Sequence, residues 1–280
     1  MDNLTRILCT RIIELIEKNN IKRIYQSGGT GSIITTCCGY IDCNYLRNMV
    51  STKAPDRIDR DVVYELYLML ELGDVCNIES KEISMYEKEN RISFIMRCGE
   101  KHYGVVWRPS EKLGWITAFI SRNKEIKSSK ELLQILQRDY GLSDCEINIL
   151  SEIASKGRFH DNPDITVVGV EDKNSGHEVK GAVRNSTVLI EAKTSITANT
   201  CIDVIDQVVS YALLSKPYSS KVILAIAEGF PCGTHLENRL TQIQRCTNLK
   251  DRIIVIENLR PDNNNAVTTY KDLIRKILCT

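Results

Sequence analysis

Apolar positions recur at helical spacing from the start of the chain: Leu4, Ile7, Leu8, Ile12, Leu15 and Ile16 line one face of a helix over residues 4–17. Asn19 and Asn20 mark its end. A second helical period covers residues 59–72, and residues 83–86, 91–97, 103–107 and 115–120 then alternate in the manner of antiparallel strands. From Ser129 the pattern changes. Helical periods at residues 130–139 and 144–154 lead into strands at 165–170 and 187–191, a helix at 200–215, a strand at 222–227, a helix at 236–246, a strand at 252–256 and a helix at 267–278. A strand pair feeding alternating helices and strands predicts an α/β protein whose mixed central sheet is flanked by helices on both faces. The change of pattern divides the chain near residue 125, into an N-terminal α+β domain (residues 1–125) and a C-terminal domain (residues 126–280).

Composition narrows the class. With 42% hydrophobic and 26% charged residues in 280, wholesale disorder is excluded. The 37 basic and 36 acidic side chains leave a formal charge of +1, so any basic surface for nucleic acid must be assembled by folding. No apolar run approaches the roughly 18 residues of a membrane span, and Arg6, Arg11, Glu14, Glu17 and Lys18 interrupt the first helix. These features predict a soluble, cytoplasmic protein with no membrane partner. The 11 cysteines are odd in number, scattered, and nowhere in a C-x-x-C pair. Cys37, Cys38, Cys43, Cys76, Cys98 and His102 are the set that could converge on zinc or an iron–sulfur cluster, but buried, reduced thiols are the expectation. The glycine-rich stretch at residues 26–32 lacks the Gly-Lys-Ser/Thr ending of a phosphate loop and reads as a turn.

Two segments carry chemistry: Pro163-Asp164-Ile165-Thr166-Val167-Val168 and Val188-Leu189-Ile190-Glu191-Ala192-Lys193. Pro-Asp recurs at Pro55 and Pro261, and Glu-x-Lys at Glu79, Glu125, Glu171 and Glu178, so neither pattern is specific by itself. Context separates them, because only Asp164 opens a continuous β-branched and apolar run and only Glu191 closes one. If the two runs pair as an antiparallel hairpin, Asp164 comes to lie beside Glu191. Lys193, two residues on, emerges on the face of Glu191. Adjacent carboxylates repel unless a cation lies between them, and Mg²⁺, a hard ion that prefers oxygen ligands, is the natural one. Asp164, Glu191 and the Ala192 backbone carbonyl form a half-shell for it, with Mn²⁺ as a substitute. Lys193 orients or helps deprotonate the attacking water and stabilises charge developing on a phosphate.

These motifs resemble those of the PD-(D/E)XK nuclease superfamily, the restriction-endonuclease-like fold, over roughly residues 144–256. Asp164 and Glu191 match the two metal ligands of the family and Lys193 its lysine. The resemblance further implies an acidic residue on the preceding helix, best matched by Glu152 and next by Glu146. It also implies a Gln-x-x-x-Tyr pair on the following helix, matched by Gln207 and Tyr211, where i, i+4 spacing puts both on one face. The implied activity is Mg²⁺-dependent DNA endonuclease cleavage of the type II restriction kind. A homodimer acting on double-stranded DNA is implied too, since cutting both strands takes two active sites. Alternatives within the resemblance are a Holliday-junction resolvase, a regulated nuclease for single strands or RNA, and a non-catalytic nucleic-acid-binding module that keeps the fold.

Overall fold

The computed structural model describes residues 2–27, 40–41, 59–86, 91–109, 130–156, 162–170, 186–244, 249 and 251–279. Among these, the elements in chain order are α1 (Asn3–Lys18), β1 (Arg23–Ser27), β2 (Tyr40–Ile41), α2 (Arg60–Val75), β3 (Glu82–Tyr86), β4 (Phe94–Cys98), β5 (Lys101–Trp107), α3 (Lys130–Tyr140), α4 (Asp144–Ser155), β6 (Ile165–Val170), β7 (Ser186–Lys193), α5 (Cys201–Leu214), β8 (Lys221–Ile226), α6 (Gly233–Gln244), β9 (Ile253–Ile256) and α7 (Asn264–Leu278). The expected strand at 115–120, most of the glycine-rich stretch, His160, Asp161 and the connection at 171–185 lie outside the described residues.

A six-stranded sheet in the order β4-β5-β6-β7-β8-β9 organises the molecule. The first four strands form an antiparallel meander, and β8 and β9 continue it in parallel with β7. Alternation along each strand sends side chains to two separate cores. Tyr103, Val105, Trp107, Ile165, Val167, Val188, Ile190, Ala192, Ile223 and Ala225 pack against α1, α2 and α7. Leu189, Val222, Leu224, Ile226 and Ile253 face the opposite way, against α3 to α6. The helices begin where the sequence supplies caps. Asp2 accepts from the Thr5 N–H at 2.9 Å, Asp59 from the Asp61 N–H at 3.0 Å, and Ser143 and Glu146 form a reciprocal capping box.

The α/β class and the doubly covered mixed sheet are as expected, but the division near residue 125 is not a break in the fold. Strand β5 pairs with β6 along its length, from His102 opposite Val170 to Trp107 opposite Ile165, so the sheet crosses that point. One core contains residues from Leu8 to Leu278. The reason is that α2 and the β4–β5 hairpin are too apolar to stand alone. Every side chain from Val62 to Leu72 in α2 is buried, including Glu65 and Glu71. A helix apolar on all sides belongs in the middle of a larger core, here against α1, α7 and the sheet.

A second, three-stranded sheet, β2-β1-β3, lies outside this frame. Its strands β1 and β2 are too short for the sequence pattern to mark. Cys76 is joined to Cys98, and Cys201 to Cys232, by disulfides with Cα separations of 4.7 and 5.8 Å, so these four are not the reduced thiols the sequence suggested.

Candidate active site

Strands β5, β6 and β7 bring their functional residues together at one end of the sheet. In an antiparallel pair the start of one strand lies beside the end of the next, and the register of β6 with β7, Ile165 opposite Ile190, places Asp164 next to Glu191. The Ala192 N–H donates to Asp164 Oδ2 at 2.8 Å, which fixes that carboxylate against the strand. Lys193 Nζ donates to Glu191 Oε1 in a close ion pair and lies 3.9 Å from Asp164 Oδ2. Asp164, Glu191 and Lys193 therefore form one cluster, with Glu191 buried and the lysine side chain 28% exposed.

Helix α5 closes the cluster from one side. Gln207 Nε2 donates to the Tyr211 hydroxyl oxygen at 2.8 Å, and that oxygen lies 2.9 Å from the Asn162 carbonyl and 3.2 Å from Glu191 Oε2. The tyrosine has one proton to share between these two acceptors, so Gln207 and Tyr211 act as one unit that holds Glu191 from below and anchors the chain entering β6.

Helix α2 closes it from the opposite face, and brings a residue the sequence reading missed. Glu65, 1% exposed, receives the Trp107 indole N–H at 2.5 Å and a two-pronged contact from Arg108, Nε at 2.9 Å and Nη2 at 2.7 Å. Arg108 is itself tied to the site, since its backbone N–H donates to the Asp164 carbonyl at 2.8 Å and extends the β5–β6 ladder by one residue. It adopts φ 40°, a left-handed conformation uncommon outside glycine, at the point where β5 ends. One turn earlier on α2, Asp61 Oδ1 accepts from Thr194 Oγ1 at 2.5 Å, so the residue after Lys193 is pinned to the same helix.

The structure does not bring Glu152 into this cluster. It sits on α4 in exposed ion pairs with Lys156 (2.6 Å) and Arg239 (3.2 Å), the first of which chiefly lowers its pKa. Glu146, the second match, is committed to Lys216 at 2.8 Å and to the capping box. The helix next to the cluster is α2, which precedes β5 in the chain, whereas α3 and α4 are inserted between β5 and β6. A signal for Glu65 existed in the sequence, because a carboxylate inside the run from Val62 to Leu72 has no exposed face available to it.

The electrostatics are those of an overfilled acid cluster. Burial, then repulsion from Asp164, raises Glu191 to about 7 despite Lys193 and Tyr211. The same two causes, in the same order, raise Glu65 to about 8 despite Arg108 and Trp107. Burial works against the Lys193 ammonium, but Glu191 and Asp164 outweigh it and keep the lysine charged. Tyr211 is pushed up by burial and then by the two carboxylates, which keeps its proton in place. Three carboxylates at one strand end suit a hard divalent cation, and the Ala192 carbonyl adds an oxygen of the same kind.

Comparison with protein-family models, with curated proteins and with solved structures finds no match to this chain. Among the described residues, no helix is long and apolar enough to cross a membrane.

Proposed function

We propose that the chain is a divalent-metal-dependent phosphodiesterase of the PD-(D/E)XK kind, acting on nucleic acid. The observation that carries this reading is the convergence of Asp164, Glu191 and Lys193 at one strand end, with Asp164 held by the Ala192 N–H and 3.9 Å from the ammonium. Supporting it are the Gln207–Tyr211 unit against Glu191 and the third carboxylate, Glu65, from α2. The order of elements also agrees with a restriction-endonuclease-like core: helix α2, the meander β5–β6–β7, helix α5 and the parallel strand β8.

Asp164, Glu191 and the Ala192 carbonyl would hold Mg²⁺ or Mn²⁺, which supplies Lewis-acid polarisation of a phosphate and a more acidic water. The protein's own residues do the rest. Lys193, kept as ammonium by its two carboxylates, orients the attacking water and offsets negative charge as it develops on the phosphate oxygens. Tyr211 and Gln207 fix the Glu191 carboxyl, and Arg108 with Trp107 fixes Glu65, so that neither acid turns away from the cluster. Double-stranded DNA is the preferred substrate and a homodimer the preferred form, since the described residues carry one such cluster and cutting both strands takes two.

The test is nicking and linearisation of supercoiled plasmid by the full chain in Mg²⁺ or Mn²⁺, beside Asp164→Asn, Glu191→Gln and Lys193→Ala. The wild type is expected to cut and each variant to lose about 100-fold or more. Equal cleavage by all three would remove the assignment. Metal-dependent binding of DNA without cleavage by the wild type would instead identify a non-catalytic module.

A further inference from the structure

The ligand atoms of Cys76, Cys98 and Cys279 all lie within 4.8 Å of one another, at the turn end of the β4–β5 hairpin, opposite the end of β5 that carries Trp107. They come from three separate elements: the C-cap of α2, the last residue of β4 and the C-cap of α7. We infer that in the reduced protein these three cysteines form a zinc site, three thiolates with a fourth position open to solvent. This inference is independent of the nuclease reading.

Each thiol is delivered by contacts that do not involve the other two. Lys271 in the middle of α7 pairs with both Glu71 (2.7 Å) and Asp74 (3.0 Å) on α2, which holds the last turns of α2 against α7. The Tyr103 hydroxyl donates to the Leu278 carbonyl at 2.9 Å, holding the residue just before Cys279 against β5. Cys98 is placed by the β4–β5 hairpin, opposite Lys101 and closed by Gly99 at φ 61°. Cys76 and Cys98 are buried and Cys279 is exposed, so the cluster opens on one side, as a zinc centre with one non-protein ligand requires.

The chemistry favours zinc. Thiolates are soft ligands that select Zn²⁺ over the hard cation suited to the carboxylates, and an iron–sulfur cluster takes four cysteines where the described residues offer three. The Cys76–Cys98 disulfide uses two of the three sulfurs. Its reduction by a phosphine or dithiol takes up two electrons and two protons and gives two thiols. Zinc binding then forms three Zn–S bonds and releases three thiol protons to the buffer. The residual negative charge lies near Arg275 and Lys276 in the last turn of α7 and near Lys101. Such a centre clamps the end of α2, whose first half carries Asp61 and Glu65, to the C-terminal helix.

The test uses the full chain, purified under a phosphine reductant without chelator, with bound metal measured directly and Co²⁺ then titrated into the metal-free protein. One zinc per chain is expected, and an intense sulfur-to-cobalt charge-transfer band with tetrahedral d–d absorption. Cys279→Ser and Cys98→Ser should each weaken Zn²⁺ binding by about tenfold or more. Cys9→Ser, at the other free cysteine among the described residues, should leave it unchanged. Because Cys279 is exposed and follows α7, the metal-free Cys279→Ser protein should melt with metal-free wild type. No stoichiometric zinc in the reduced protein, iron with acid-labile sulfide, or undiminished zinc and cobalt binding in both serine variants would each overturn the inference.

Discussion

Helix α2 carries two buried carboxylates, Glu65 and Glu71, less than two turns apart and each 1% exposed, and their surroundings are opposite in kind. Glu71 lies between two cations, Arg11 at 2.7 Å and Lys271 at 2.7 Å, in a network that also joins Lys18 and Lys271 to Asp74. Positive charge there matches negative charge, and the network ties α1, α2 and α7 together. Glu65 is paired with Arg108 and faces Asp164, and burial followed by repulsion from Asp164 pushes its carboxyl up to about 8. Burial alone therefore does not mark a functional acid. The charge left uncompensated around it does, because a cluster that repels itself in the bare protein is one that a metal ion can relieve.

That contrast can be broken by exchanging each acid for its amide. Glu71→Gln leaves Arg11 and Lys271 facing an amide in a buried setting, and is expected to cost about 3 kcal/mol. Thermal melting should register this as a fall of roughly 6–12 °C, with nicking otherwise unchanged below the new melting point. Glu65→Gln should do the reverse, lowering nicking by about 10- to 100-fold while stability at pH 7 does not fall, since the amide replaces a carboxyl that folding obliges to take up a proton. If Glu65→Gln melts like Glu71→Gln, the distinction between the two halves of α2 is wrong.

A pH series sharpens the same comparison. Glu191 and Glu65 have folded-state values of about 7 and about 8, above the ordinary carboxyl value of 4.5. The folded protein thus binds more protons than the unfolded chain, so stability falls as pH rises from about 4.5 through 8. Without divalent metal, the melting temperature should drop across this window, by an amount equivalent to several kcal/mol, on the order of 3 to 8. Saturating Mg²⁺ or the Glu65→Gln/Glu191→Gln pair should flatten the slope. A flat profile in the metal-free wild type would contradict the electrostatic picture of the site.

The smaller effects lie at the edges. Tyr211→Phe removes the hydroxyl shared between Asn162 and Glu191 and is expected to cost about 1–2 kcal/mol, with a loss of nicking near tenfold. Glu152→Ala should change stability by about 0.5 kcal/mol or less and leave nicking intact, because its pairs with Lys156 and Arg239 lie on the surface.

Much of this was legible in the sequence. Strong periodicity marked the main helices and strands, and a β-branched run bounded by an acid sufficed to bring Asp164 to Glu191, because antiparallel pairing converts end positions into neighbours. Gln207 and Tyr211 came from the resemblance, through its Gln-x-x-x-Tyr pair, and helical spacing put both on one face. The parts that were not legible depend on long-range pairing. The β4–β5 hairpin reads locally as a unit of its own, and nothing in its pattern says that β5 will pair with β6 across an insertion containing α3 and α4. For the same reason α4, the nearest upstream acidic helix in sequence, is not the nearest in space; that is α2, which carries Glu65. Disulfide pairing is equally long-range, since Cys76 and Cys98 meet only once α2 packs beneath β4.

The central claim, that the acids at the end of β6 and β7 form a divalent-metal site, is tested most directly by calorimetric titration of Mn²⁺ into the full chain at pH 7, in buffers of different ionisation enthalpy. Binding to wild type is expected to release protons, because Glu191 and Glu65 hold them before metal arrives. Binding and proton release should both be lost in Asp164→Asn and Glu191→Gln. Absence of Mn²⁺ binding by the wild type, or unchanged binding by both variants, would contradict it.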